Sequence, residues 1–176
     1  MPVGLLVCHA LPMMDDLLDA NRAYVADFAL AGIPARADKG FSLVTCMDSR
    51  IEPLTMLGLV PGDAKIIRNA GGRVTPDVLR SLVLATNFLG VHRIAVMQHT
   101  NCALADRTDA DIRSGLVEAG RGSAADWEFL TMPDPDAALR HDVDLVRSCS
   151  LLPPATQVEG WRYHVETGVV EPVVRG

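Results

Sequence analysis

The chain has 176 residues, 49% of them hydrophobic and 22% charged, with a formal net charge of -6 and four cysteines. That length and composition suit one domain with a sizeable core, and the absence of any long Lys or Arg run argues against the clustered basic face that nucleic acid needs. No stretch approaches the roughly 20 apolar residues of a membrane span, and a chain able to build a core needs no disulfide framework, so the expectation is a cytoplasmic protein with a small partner.

Residues 1–12, with Pro2 and Pro12, carry no period and read as a loosely held leader ahead of a single domain at 13–176. Gly4 to Cys8 is too short for a signal segment, and Cys8 and His9 read as incidental. Residues 13–30 read as a helix, with Asp15 and Asp16 in the first turn and Leu17, Leu18, Tyr24, Val25 and Phe28 spaced for an apolar face. Gly32 and Pro34 end it. A strand follows at 41–46, then a short helix at 52–59 with Pro53 early, and a second strand at 64–68. Thr75 caps a helix at 76–89, with Val78, Leu79, Leu82, Val83 and Phe88 as buried candidates and Gly90 as its stop. The third strand covers 92–97, a helix 109–119, and a Gly-rich loop 120–123. A last helix spans 133–149, with Leu139, Val143, Val146 and Cys149 on one side, and 157–165 with 169–174 read as a hairpin around Thr167-Gly168. This alternation predicts an α/β fold: a mainly parallel central sheet, helices on both faces, and an antiparallel edge at the C-terminus.

Two short clusters carry chemistry. Val44-Thr45-Cys46-Met47-Asp48-Ser49-Arg50 and Gln98-His99-Thr100-Asn101-Cys102 each follow an apolar strand, where open α/β sheets place their sites. If Cys46 to Arg50 stays extended, the two-residue period puts Cys46, Asp48 and Arg50 on one face. His99 and Cys102 can close around one metal if the backbone turns between them. Two thiolates and one imidazole suit a single zinc ion per chain, and three protein ligands leave the fourth tetrahedral position open, as in catalytic sites. Taken alone, either cysteine reads more simply as a buried apolar thiol, and Asp48 with Arg50 as a structural ion pair. Their joint occurrence with His99 favours zinc. Between the clusters, Arg68-Asn69-Ala70-Gly71-Gly72 lacks the three-glycine phosphate fingerprint and reads as a close backbone approach beside the metal. His92, His141 and His164 have no ligand-like neighbours.

At these residues the chain resembles the β-class carbonic anhydrases. Their Cys-x-Asp-x-Arg, followed about fifty residues on by His-x-x-Cys, is matched by Cys46, Asp48, Arg50, His99 and Cys102, and their Arg-Asn-Ala-Gly stretch by Arg68 to Gly71. The resemblance runs from about Met13 to the C-terminus, in the compact form of the fold. It implies reversible hydration of carbon dioxide to bicarbonate and a proton by zinc-bound hydroxide, with Asp48 accepting the hydroxide's hydrogen bond and Arg50 keeping Asp48 ionised. It also implies a homodimer or higher homo-oligomer, with the N-terminal helix on a neighbouring subunit. In some members the aspartate itself closes the fourth zinc position as an off state. Those controlled by bicarbonate carry a Trp where this chain has Leu43, so the open form is expected, and the Gln of plant-type members is replaced by Ala37. Two thiolates neutralise the cation, so hydration should rise into the alkaline range with an apparent pKa above about 7. Hydrolysis of a carbon dioxide analogue (carbonyl sulfide or carbon disulfide) on the same scaffold, and a thiol or metal sensor, are the alternatives.

Overall fold

Apolar, β-branched runs punctuated by Gly and Pro set the strands, and the sheet they form fixes where the two clusters meet. The structure, a computed structural model, describes residues 14–176, so the expected leader with Cys8 and His9 lies outside the described residues. The chain divides into two units, one ending at Ile33 and one spanning Pro34–Gly176.

In the first unit, α1 (Asp15–Ala26) carries Asp15 and Asp16 in its first turn, where acids favour the helix dipole. It ends before residue 30, because the Asp27 and Phe28 N–H groups turn back to Tyr24 O and Val25 O, both at 3.3 Å, and tighten the last turn. Leu17, Leu18, Tyr24, Val25 and Phe28 are all exposed.

The second unit runs β1 (Phe41–Cys46), α2 (Pro53–Met56), β2 (Ala64–Asn69), a 3-10 turn (Ala70–Gly72), α3 (Pro76–Phe88), β3 (Arg93–His99), α4 (Asp109–Glu118), α5 (Pro135–Arg147), β4 (Gln157–Tyr163) and β5 (Val170–Val174). The sheet order is β2-β1-β3-β4-β5. The first three pairings are parallel and β5 is antiparallel to β4, as the alternation of elements predicts.

Every residue of β1 is buried, as befits a strand covered on both faces. On one face Val44, Ile94, Val96 and Val158 pack against Val78, Leu82 and Ala85 of α3 and Leu139, Val143 and Val146 of α5. On the other, Leu43, Ala95 and Met97 pack with Ile51, Met132 and the side chains around α2. Each fully buried Leu or Val contributes about 1.5–3 kcal/mol, so these two layers hold the sheet. Thr75 caps α3 by accepting the Val78 N–H. Phe88, expected inside, is 69% exposed: the buried stripe is Val78, Leu82 and Ala85, and Phe88 falls beside its continuation. Cys149 lies just beyond α5 rather than on it, half-buried against the same core.

Candidate metal centre

Cys46 is the last residue of β1 and His99 the last of β3, and these strands are parallel neighbours. Parallel pairing brings their C-terminal ends to one edge of the sheet, the position at which open α/β sheets bind ligands. After His99 the chain turns through Thr100 and Asn101, Asn101 adopting φ 52°, which brings Cys102 back toward the strand end. Asn tolerates this left-handed conformation better than most residues. All three side chains are buried, and one ligand atom from each lies within 4.8 Å of the others.

Tetrahedral zinc, with bonds of about 2.0–2.3 Å, requires ligand atoms in this range of separation. The donors fit the metal in chemistry as well. His99 Nδ1 donates to Thr100 O at 2.8 Å, which leaves Nε2 with the lone pair, and Nε2 is buried with no hydrogen-bond partner. An orphaned buried acceptor facing two sulfurs is what a metal ligand looks like without its ion. The Cys46 thiol is drawn far below its ordinary range, first by the Cys102 S–H directed at it, against burial, and then by His99. The Cys102 thiol is pushed up, by that same bond and by burial. Burial pulls His99 down, but the neighbouring Cys46 sulfur outweighs it and the net shift is upward. Binding a divalent cation here would release the thiol protons, so metal affinity would rise with pH.

Asp48 and Arg50 meet by a route different from the extended one expected. The strand stops at Cys46, and residues 48–51 form a turn in which Ile51 N–H donates to Asp48 O at 3.1 Å. Asp48 Oδ1 accepts the Arg50 backbone N–H and Nε, both at 2.9 Å, and Oδ2 accepts Nη2 at 2.7 Å. A carboxylate accepting its own backbone two residues on is the turn chemistry that Asp favours. The Arg50 bonds hold the Asp48 carboxyl well below the usual carboxylate range. Its Oδ2 lies 3.9 Å from His99 Nε2. Arg50 Nη2 also donates to Asn101 O at 3.0 Å, so the two clusters are tied to each other.

Arg68 braces the same turn, Nε donating to Cys46 O at 3.1 Å and Nη2 to Asp48 O at 2.7 Å. Asn69 folds its amide onto Arg73, accepting the Arg73 N–H at 2.9 Å and donating to Arg73 O at 2.7 Å, which closes the turn over Ala70, Gly71 and Gly72. Gly72, at φ 65°, permits the close approach expected of this stretch: a Cβ there would sit 2.9 Å from both Cys46 N and Met97 O. A cavity of about 450 Å³, lined among others by Cys46, Asp48, Arg50, Gly71, Cys102 and Leu104, opens on the site. Leu43 is fully buried and Ala37 nearly so. Thr100, Asn101 and Glu166, which link the clusters to the last hairpin, were not legible as site residues. Asn101, sitting where a turn had to form, was the only hint.

An open α/β sheet that gathers two cysteines and a histidine at one edge, beside an Asp-Arg pair and a cleft, presents a three-donor group of the kind that holds a catalytic zinc. Residues 41–119 match the sequence family described as carbonic anhydrase. The chain is 31% identical to β-carbonic anhydrase 1 of Mycobacterium tuberculosis over 159 residues, 90% of this chain and 96% of that protein. It is also 31% identical, over 181 residues and 88% of each chain, to a carbon disulfide hydrolase of Acidianus sp.. A carbonic anhydrase from Streptococcus mutans superposes with a TM-score of 0.87 at 38% identity, covering 93% of this chain and 99% of that one. The chain therefore belongs to the β-carbonic anhydrase family.

Proposed function

We propose that this protein catalyses the reversible hydration of carbon dioxide to bicarbonate and a proton, with Cys46, His99 and Cys102 holding one zinc ion per chain. The observation that carries this reading is the buried Cys-His-Cys group beside a carboxylate pinned by Arg50. When bound, zinc supplies a Lewis acid that brings the pKa of a water toward neutrality and so provides a hydroxide nucleophile.

The chain's own residues do the rest. Asp48, kept ionised by Arg50, accepts the nucleophile's hydrogen bond and aims its lone pair at the carbon of carbon dioxide. Arg50, held between Asp48 and Asn101 O, engages that carboxylate in an ion pair, which supports the open form over one in which Asp48 would itself bind the metal. Arg68 steadies the turn carrying Asp48, and Asn69, Ala70, Gly71 and Gly72 shape the wall of the cleft.

The alignment over 90% of the chain supports reading residues 13–176 as one functional domain. The exposed apolar side chains of α1 support a homodimer or higher homo-oligomer, since patches of this kind mark contact surfaces. The use of Cys46 and Cys102 as metal donors and not as a disulfide supports a reducing, cytoplasmic setting, and among the described residues no helix is long and apolar enough to cross a membrane.

Carbon disulfide hydrolysis is the second reading, favoured by the Acidianus relative. A carbon disulfide hydrolase structure superposes at a TM-score of 0.68 and 28% identity, within the range that carbonic anhydrase structures themselves span, so the assay and not the fold chooses between the substrates. Stopped-flow hydration of carbon dioxide, run beside sulfide release from carbon disulfide, decides. Hydration should rise above about pH 7, disappear on chelation and return with zinc. Sulfide release without hydration would replace the first reading by the second.

A further inference from the structure

The link between the two downstream ligands is clamped from outside the site. Glu166, in the turn joining β4 to β5, accepts a hydrogen bond from Thr100 Oγ1 at 2.7 Å and another from the Asn101 side-chain amide. Thr100 Oγ1 also accepts the Val165 N–H at 3.1 Å, and the Thr100 N–H donates to Tyr163 O at 3.0 Å. The Thr100-Asn101 step is thereby fastened to the final hairpin, with Asn101 in its left-handed conformation.

Both carbonyls of that step serve the site. Thr100 O accepts from His99 Nδ1 at 2.8 Å, which fixes the imidazole tautomer and aims Nε2 at the two sulfurs. Asn101 O accepts from Arg50 Nη2 at 3.0 Å, the same nitrogen that donates to Asp48 Oδ2 at 2.7 Å. A carboxylate that anchors this one step therefore controls the orientation of a ligand and of the Asp48-Arg50 pair together. Partners that orient metal ligands from outside the coordination shell are worth roughly 10–100-fold in metal affinity or activity.

We propose that Glu166 is a positioning residue of this site, setting the His99 ring and the Arg50 guanidinium through Thr100 and Asn101. The inference rests on the zinc reading above and adds a residue that the Cys-x-Asp-x-Arg and His-x-x-Cys pattern does not contain. Glu166 is exposed, so its replacement leaves both core layers intact. A glutamine should serve nearly as well as the native residue: its oxygen can accept from Asn101 and its amide can donate to Thr100 Oγ1. Aspartate keeps the charge but is one carbon too short to reach both.

The test compares Glu166→Ala, Glu166→Asp and Glu166→Gln in the zinc-loaded full chain. Zinc release to a chromogenic chelator is followed first, then kcat and KM for hydration. Glu166→Ala and Glu166→Asp should release zinc roughly 10-fold faster and lose roughly 10-fold in kcat with KM little changed, while Glu166→Gln stays within about twofold of the native protein. Native release rates in Glu166→Ala, or a Glu166→Gln as impaired as Glu166→Ala, would overturn the assignment. So would a lowered melting temperature with zinc release and kcat both unchanged. Zinc release is read without any turnover, so a chain that lacks hydration altogether would defeat the proposed function while leaving this test standing.

Discussion

At the scale of single residues, Asp48 is the group whose role is most exposed to test. Three N–H groups of Arg50 hold its carboxylate, and its lowered pKa keeps it an acceptor throughout the neutral range. Asp48→Asn removes the charge and presents an amide N–H either to Arg50 or to the cleft, so one of the two contacts turns repulsive. Since no zinc ligand changes, the metal should stay bound while the hydration rate falls roughly 10²-fold or more, the scale of losing a positioned proton acceptor. Metal analysis beside stopped-flow hydration checks this, and an unaltered rate would reduce Asp48-Arg50 to a structural ion pair. The Cys46-His99-Cys102 group was legible in the sequence because two thiols and an imidazole just at or after strand ends are a chemically rare combination. Glu166 was not, because its contact with Thr100 and Asn101 crosses about 65 residues and uses side chains that turns employ everywhere.

Among the elements, α4 contributes less by its own packing than by what its first turn anchors. No side chain of α4 is buried, yet Asp109 accepts the Phe129 N–H at 2.8 Å, the Thr131 N–H at 3.2 Å and the Thr131 hydroxyl at 2.8 Å. These bonds, the Phe129 N–H foremost, lower the Asp109 pKa against the opposing cost of desolvation. A carboxylate with a depressed folded-state pKa contributes its stability in full above the unfolded value of about 3.9 and loses it as pH falls through the lower folded value. Asp109→Asn should therefore unfold at a lower urea concentration than the native protein at pH 7, and the gap should close as the pH drops below about 4. A gap independent of pH would mean that the bonds do not depend on the charge. The existence and order of the elements were legible because Thr75, Pro76 and Gly90 punctuate an apolar period. The ends were less so: α1 stops at Ala26, and β3 runs on to His99 because Gln98 and His99 still pair with Arg162 and Tyr163 on β4. Pairing of that kind belongs to the sheet and leaves no mark on one strand's own sequence.

In the Pro34–Gly176 unit as a whole, the turn beside the metal centre is tied to the helical layer by one buried ion pair. Arg73 follows Gly72 directly, and its Nε and Nη2 donate to Asp142 of α5 at 2.7 and 3.1 Å, while Nη1 donates to Leu130 O at 2.6 Å. Asp142 is fully buried and Arg73 is 7% exposed. Asp142 lies among Leu139, Val143 and Val146 on the buried face of α5, and its partner sits 69 residues upstream, a pairing that the sequence of the helix does not reveal. Burying both charges costs several kcal/mol apiece and their attraction roughly returns it, so the pair as a unit adds little net stability, whereas removing one member strands the other in the core. Asp142→Ala should thus destabilise by about 3–5 kcal/mol in urea unfolding of the zinc-free protein. Asp142→Asn, which keeps an acceptor for Arg73, should lose less. Since the stranded guanidinium dominates the loss, replacing Arg73 by Met in the Asp142→Ala background should restore part of it. A double variant no more stable than Asp142→Ala would show instead that α5 depends on Asp142 for packing, and that the turn at Gly72 is held in place without the ion pair.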